Sequence, residues 1–143
     1  MGLDQYAYVA MHPGQHDEFW TGAEVDPVTR QYTNARVPEP RELAYWRKHP
    51  NLQGWMEQLW RQRGCPGAPD TDAPEFNGVE VELDWEAIDR LEQAIRDGEL
   101  PTTQGFFFGT DSDEHYRDRD LEFCRLARAE LFLKLRVFYN SSW

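Results

Sequence analysis

Four consecutive residues, Tyr45, Trp46, Arg47 and Lys48, place two aromatic rings beside two cations. A ring can stack on a planar base and a cation can meet a phosphate, so the grouping suits a planar anionic ligand. Arg47 and Lys48 are also the densest positive pair in a chain that has only two lysines. A plainer explanation stands beside this one: Trp46 in the core, with the two cations at a helix end where the dipole favours them. The run Gly105-Phe106-Phe107-Phe108-Gly109 is a second group. In a strand Phe106 and Phe108 share one face, and Gly105 and Gly109 let a ligand or another backbone approach closely. A sheet buried on both faces explains the same run. The third group is Ser141-Ser142-Trp143. Its two hydroxyls can hydrogen-bond a ligand, or the Trp can simply anchor the last strand, since chain ends fray unless tied down.

Motifs of transformation chemistry are missing. No phosphate-binding loop, dinucleotide fingerprint, nucleophile elbow or paired-histidine zinc motif occurs. Asp111, Asp113 and Glu122 fall at positions 1, 3 and 12 of a calcium loop, but position 6 is Tyr116 where the sharp turn demands Gly. His115 with Asp111 and Asp113 could bind another metal, and Cys65 with His49 could pair a thiol with its base, though nothing places those last two together. The expectation is a binding protein with no catalytic residues, no metal and no cofactor. Cys65 and Cys124 lie in no metal pattern and are read as two thiols, one disulfide being the alternative.

The elements that must position these residues follow from periodicity and punctuation. Leu3–Ala10 reads as a strand with Tyr6 and Tyr8 on one face, and Arg30–Val37 as a second that could complete a hairpin. Glu42–Lys48 reads as a short helix, broken near His49 by Pro50, which suits the first turn of a new helix over Pro50–Arg63. Leu52, Trp55, Met56, Leu59 and Trp60 give that helix one apolar stripe, and Gly64 stops it. Val79, Val81 and Leu83 alternate with Glu80 and Glu82 as in a half-buried strand. Asp84 is a helix N-cap for Trp85–Asp97, with Gly98 as its C-cap. Gly105–Gly109 reads as a strand, Asp111–Arg117 as a charged loop, Asp118–Leu133 as a helix and Arg136–Asn140 as a last strand. Segments 12–30 and 64–78, rich in Pro and Gly, are expected to be mobile loops. Mixed elements without a regular βαβ repeat predict a single α+β domain over residues 1–143, with a mostly antiparallel sheet of about four or five strands and three or four helices.

Charge bounds the partners. The 143 residues carry 26 Asp and Glu against 15 Lys and Arg, a formal net charge of −11. Phosphate backbones and anionic membranes repel such a chain, so direct nucleic-acid and membrane binding are not expected. The excess is local: residues 70–99 hold 11 acids against Arg90 and Arg96, a net −9, and the rest is close to neutral. A small anionic ligand in a basic and aromatic pocket is compatible with that distribution. No signal peptide and no membrane-length apolar run is evident, so a cytoplasmic protein is expected.

The opening MGLDQY (residues 1–6), ELAYWRKHPNLQGWM (42–56), LPTTQGFFFGTDSDEHY (100–116) and the ending YNSSW (139–143) together resemble a family of small proteins encoded largely by bacteriophages and prophages. Members often carry the label phosphoglycerate kinase. That kinase is a two-domain protein several times longer, and none of its nucleotide-binding motifs occurs here. The resemblance carries over no catalytic residue. What it implies is context: an accessory factor acting on host defence, in the cytoplasm of an infected cell. One mechanism is sequestration of a nucleotide-derived immune signal, such as a cyclic nucleotide or an ADP-ribose-type messenger. Tyr45, Trp46, Arg47, Lys48, Gly105, Phe106, Phe108, Gly109, Ser141, Ser142 and Trp143 would form the pocket, and by analogy with phage proteins of that kind a homo-oligomer is expected. The alternative is an acidic decoy, in which residues 70–99 occupy a nucleic-acid-binding surface of a host defence protein.

Overall fold

The computed structural model describes residues 2–10, 28, 41–68, 72–103 and 113–143. The described residues form an α+β domain of four strands and three helices. In chain order these are β1 (Asp4–Ala10), β2 (Arg41–Arg47), α1 (Pro50–Gln62), β3 (Glu80–Leu83), α2 (Trp85–Asp97), α3 (Asp113–Phe132) and β4 (Arg136–Ser142). The sheet order is β2-β1-β4-β3 and every pairing is antiparallel. Among the described residues no helix is long and apolar enough to cross a membrane.

Alternation along the strands separates two faces. Gln5, Ala7 and Val9 of β1, Trp46 of β2, Val81 and Leu83 of β3 and Val137, Tyr139 and Ser141 of β4 are buried. Against them pack Leu52, Met56, Leu59 and Trp60 of α1, Ile88, Leu91 and Ile95 of α2, and Phe123, Cys124 and Ala127 of α3. Trp46 and Trp60 are wholly buried. A buried Trp removes about 150–250 Å² from water, on the order of 4–6 kcal/mol of transfer free energy each before ordering costs. Both caps of α2 are as the residue types dictate. The Asp84 carboxylate accepts from the Ala87 N–H at 2.8 Å, and Gly98 takes the left-handed conformation (φ 67°) that closes the last turn.

Two element assignments read from the sequence change. Glu42–Lys48 is not a helix: residues 41–47 form the edge strand β2, paired to β1 from Asp4↔Arg47 to Val9↔Arg41 with a bulge opposite Ala7 and Tyr8. Seven residues ahead of a proline make too few intrahelical hydrogen bonds to hold a helix alone, and β1 offers a ladder that the ring-bearing Tyr45 and Trp46 fit well. Helix α3 begins at Asp113 instead of Asp118, so Asp113–Arg117 is its first turn and not loop. Asp113 and Glu114 stand there at the helix's positive end, where acids are favoured. The strand expected over Arg30–Val37, the loop at 12–30 apart from Val28, and the strand over Gly105–Gly109 lie outside the described residues. Strand β4 runs two residues further than expected, to Ser142.

Candidate ligand-binding face

The face of the sheet turned away from the helices is organised in rows across the strands. Register places Arg47, Asp4 and Ser142 in one row, and Tyr45, Tyr6, Asn140 and Glu80 in the next. The third row is Glu42, Tyr8, Phe138 and Glu82. Successive rows are two residues apart along a strand, about 7 Å at roughly 3.4 Å per residue. The rings form two cross-strand pairs. Tyr6 and Tyr45 lie 5.2 Å apart at 50°, and Tyr8 and Phe138 lie 5.6 Å apart and near parallel at 21°. Tyr6 is 39% and Tyr45 37% exposed. A groove of about 490 Å³ runs over this face, lined by Tyr6, Tyr8, Glu42, Gly78, Asn140, Ser141 and Ser142.

Its charges are mixed, with the Asp4 carboxylate directly opposite Arg47 in the first row. The Tyr45 hydroxyl donates to Asp4 at 2.5 Å, which pushes the phenol up to about 12. Burial, and then a hydrogen bond to Glu80, push the Tyr8 phenol above its ordinary value. Both hydroxyls therefore stay neutral donors at physiological pH. Arg136 is committed to Glu82 by two hydrogen bonds and rests on the Phe138 ring at 4.9 Å. Arg41 is tied to Glu130. No carboxylate of the described residues forms an ion pair with Arg47. It stands with Lys48 at the opposite end from Glu42 and Glu82.

That cationic corner is held from beneath. The Arg47 carbonyl accepts from the Tyr116 hydroxyl at 2.6 Å, and the Arg47 N–H points at the same oxygen at 3.3 Å. Lys48 adopts φ 58°, a left-handed conformation uncommon for a side-chain-bearing residue, and its N–H donates to the Leu3 carbonyl at 2.8 Å. A Cβ at Gly2 would come within 3.0 Å of Lys48 Cε and 3.6 Å of Arg47 Nη2, the far ends of two flexible side chains. The next residue, His49, is wholly buried, with its N–H and C=O both bonded to the side-chain amide of Gln5 (2.8 and 3.0 Å). Its Nε2 lies 2.7 Å from Asp120 Oδ2, and its ring stacks on Tyr116 at 4.8 Å. The other Asp120 oxygen accepts from Trp46 Nε1 at 2.8 Å. Burial holds the Asp120 carboxyl above its ordinary value, against the pull of these partners.

The predicted site residues thus divide. Tyr45, Arg47 and Ser142 come together on the outer face, with Lys48 at its end. Trp46 does not join them: its strand position turns it inward, edge-on to Phe123 at 5.3 Å. Ser141 is likewise buried. Trp143 is an anchor, its Nε1 bonded to the Phe76 carbonyl and its backbone to Asn77 in both directions, each at 3.1 Å. Gly105, Phe106, Phe108 and Gly109 lie outside the described residues. Tyr6, Tyr8, Phe138 and Asn140 were not among the predicted residues. Their signal was the alternation in QYAYV and VFYN, but periodicity alone does not say which face is the wet one. The His49–Asp120 contact had no sequence signal, 71 residues separating the two. His49 engages Asp120 rather than Cys65, and Cys65 and Cys124 are both unpaired thiols. Among the described residues no cluster of three or more His, Cys, Asp or Glu is arranged to hold a metal ion. A smaller concavity of about 230 Å³ between α2 and α3 is lined by Asp113, Glu114, Arg117 and Asp120 with Ile95 and Leu100, a carboxylate-rich wall unsuited to an anion. Comparison with protein-family models, with curated proteins and with solved structures finds no match.

Proposed function

We propose that this chain binds a small, planar, anionic nucleotide-derived ligand on the outer face of its sheet and does not transform it. One observation carries the reading: a groove of about 490 Å³ is lined by Tyr6 and Tyr8, each paired across the strands with a second ring (Tyr45 and Phe138), and the Arg47–Lys48 corner stands one row beyond Tyr6. Bases laid on a sheet stack on such rings, and the row spacing of about 7 Å is comparable to the distance from a nucleobase to its own 5′-phosphate. Asn140 and Ser142 supply polar contacts at the groove edge. Given the resemblance to phage-encoded proteins, the biological sense of such binding is sequestration of a nucleotide signal of the host's defence. The acidic-decoy alternative is weaker, because Arg63, Arg128 and Arg136 engage Asp84, Asp89, Glu92 and Glu82, neutralising part of the acidic stretch.

Calorimetric titration of the purified chain with AMP, cyclic mononucleotides, dinucleotides and ADP-ribose tests the proposal. Binding tighter than about 100 μM to at least one of them is expected, a modest affinity of about −5.5 kcal/mol. Arg47→Ala should weaken that binding by roughly 1–3 kcal/mol, the scale of a lost charge-assisted hydrogen bond. If no member of the panel binds, the proposal fails. Recovery of altered ligand after incubation would instead indicate an enzyme.

A further inference from the structure

Resting on the binding reading above, we infer that the face takes a ligand with two bases: a dinucleotide carrying amino-substituted bases, not a mononucleotide. A mononucleotide accounts for two of the three rows. Its phosphate would meet Arg47, and its base would stack at Tyr6 and Tyr45. The third row then keeps a second aromatic pair, Tyr8 and Phe138, in near-parallel contact and half-buried on the same face. The groove does not stop between the pairs. It is lined by Ser142 from the first row, Tyr6 and Asn140 from the second, and Tyr8 and Glu42 from the third, so it runs about 14 Å along β1. Two rings one row apart match two bases splayed on neighbouring aromatic platforms.

Charge says which bases and how many. In the third row stand Glu42, which lines the groove, and Glu82, which Arg136 holds; Glu80 stands in the second row. A carboxylate accepts from exocyclic amino groups and repels carbonyl edges, which favours adenine, cytosine or guanine over uracil or thymine. Carboxylates at that end repel further phosphates, so the face suits a short ligand and is opposed to a polymer.

The test is calorimetry on the full chain with 5′-AMP, 5′-phosphorylated diadenylate, cyclic diadenylate, 5′-phosphorylated diuridylate and a ten-residue oligoadenylate. One or both diadenylates should bind at least about tenfold tighter than AMP, the size of one added base stack. Whichever of the two leads assigns the linear or the cyclic form. The diuridylate and the oligomer should bind more weakly than the better diadenylate. Tyr8→Ala should erase the dinucleotide advantage. Phe138→Leu, which keeps an apolar side chain in the sheet, should reduce the same advantage, guarding against a folding defect in the first variant. Equal affinity for AMP and both diadenylates overturns the inference while the binding reading survives. Failure of the wild-type chain to bind any of the five removes both.

Discussion

Replacing Asp120 by Ala probes the knot beneath the Arg47–Lys48 corner. The carboxylate is 1% exposed and holds two wholly buried partners, His49 Nε2 at 2.7 Å and Trp46 Nε1 at 2.8 Å. Alanine leaves both nitrogens without that acceptor in a place water does not reach. Each orphaned buried group costs about 1–3 kcal/mol, so the two together cost roughly 2–6 kcal/mol. The expected loss is the middle of that range, about 3–5 kcal/mol. A domain of this size has about 5–15 kcal/mol in all, and each kcal/mol shifts Tm by about 4 °C, so the midpoint should fall by about 12–20 °C. Asp120→Asn separates hydrogen bonding from charge. Its carbonyl oxygen can still accept from Trp46, and its amide can donate to His49 Nε2 if the imidazole carries its proton on Nδ1. It should therefore lose less than half as much. Urea unfolding followed by Trp fluorescence and far-ultraviolet circular dichroism, with equal m-values across the three proteins, measures both. A loss below about 1 kcal/mol for Ala, or an Asn variant as unstable as Ala, would refute the reasoning.

Three further outcomes follow from the packing. At Gly54 a Cβ would lie 1.8 Å from Thr103 Oγ1 and 2.9 Å from Thr103 Cβ, so Gly54→Ala should destabilise by roughly 1–3 kcal/mol despite alanine's better helix propensity; Thr103→Gly in the same chain should recover part of that in a thermal melt. The Arg128 guanidinium, hydrogen-bonded to Glu92, holds that carboxyl below its ordinary 4.5. Its contribution to stability is therefore present above that value and lost as pH falls through the lowered one, so Glu92→Gln should lower stability at pH 7 and flatten the acid limb of a Tm-against-pH curve. Burial pushes the Cys124 thiol up to about 12, whereas Cys65 is half-exposed. A chromogenic disulfide reagent should accordingly titrate one thiol in the native chain and two after denaturation, and a second fast native thiol would contradict the packing.

Local chemistry was legible wherever one residue's preference decided the outcome. Asp84 and Gly98 bound α2 because an N-cap acceptor and a left-handed C-cap act over three or four residues. Pro50 opens α1 because its ring suits a first helical turn. Alternation in LDQYAYVA declared a strand, and Tyr6 and Tyr8 on one side of it. Which side was wet could not be read there, because the buried side carries Gln5, a polar residue whose amide is satisfied only by His49 and by Tyr139.

ELAYWRK shows where local reading stops. By propensity it can be helix or strand, and the choice fell to an unpaired edge of β1 that lies some forty residues earlier in the chain. That choice also split the candidate site. A helix would have pointed Tyr45, Trp46, Arg47 and Lys48 in four directions. A strand sends Tyr45 and Arg47 outward beside Tyr6 and Asp4, and Trp46 inward to Asp120. Residue types alone determined that this chain carries stacking rings and a cationic pair. Tertiary structure decided which rings face solvent together and which acid, 74 residues from Trp46, holds its indole, because both depend on strand register and on a contact no local rule encodes.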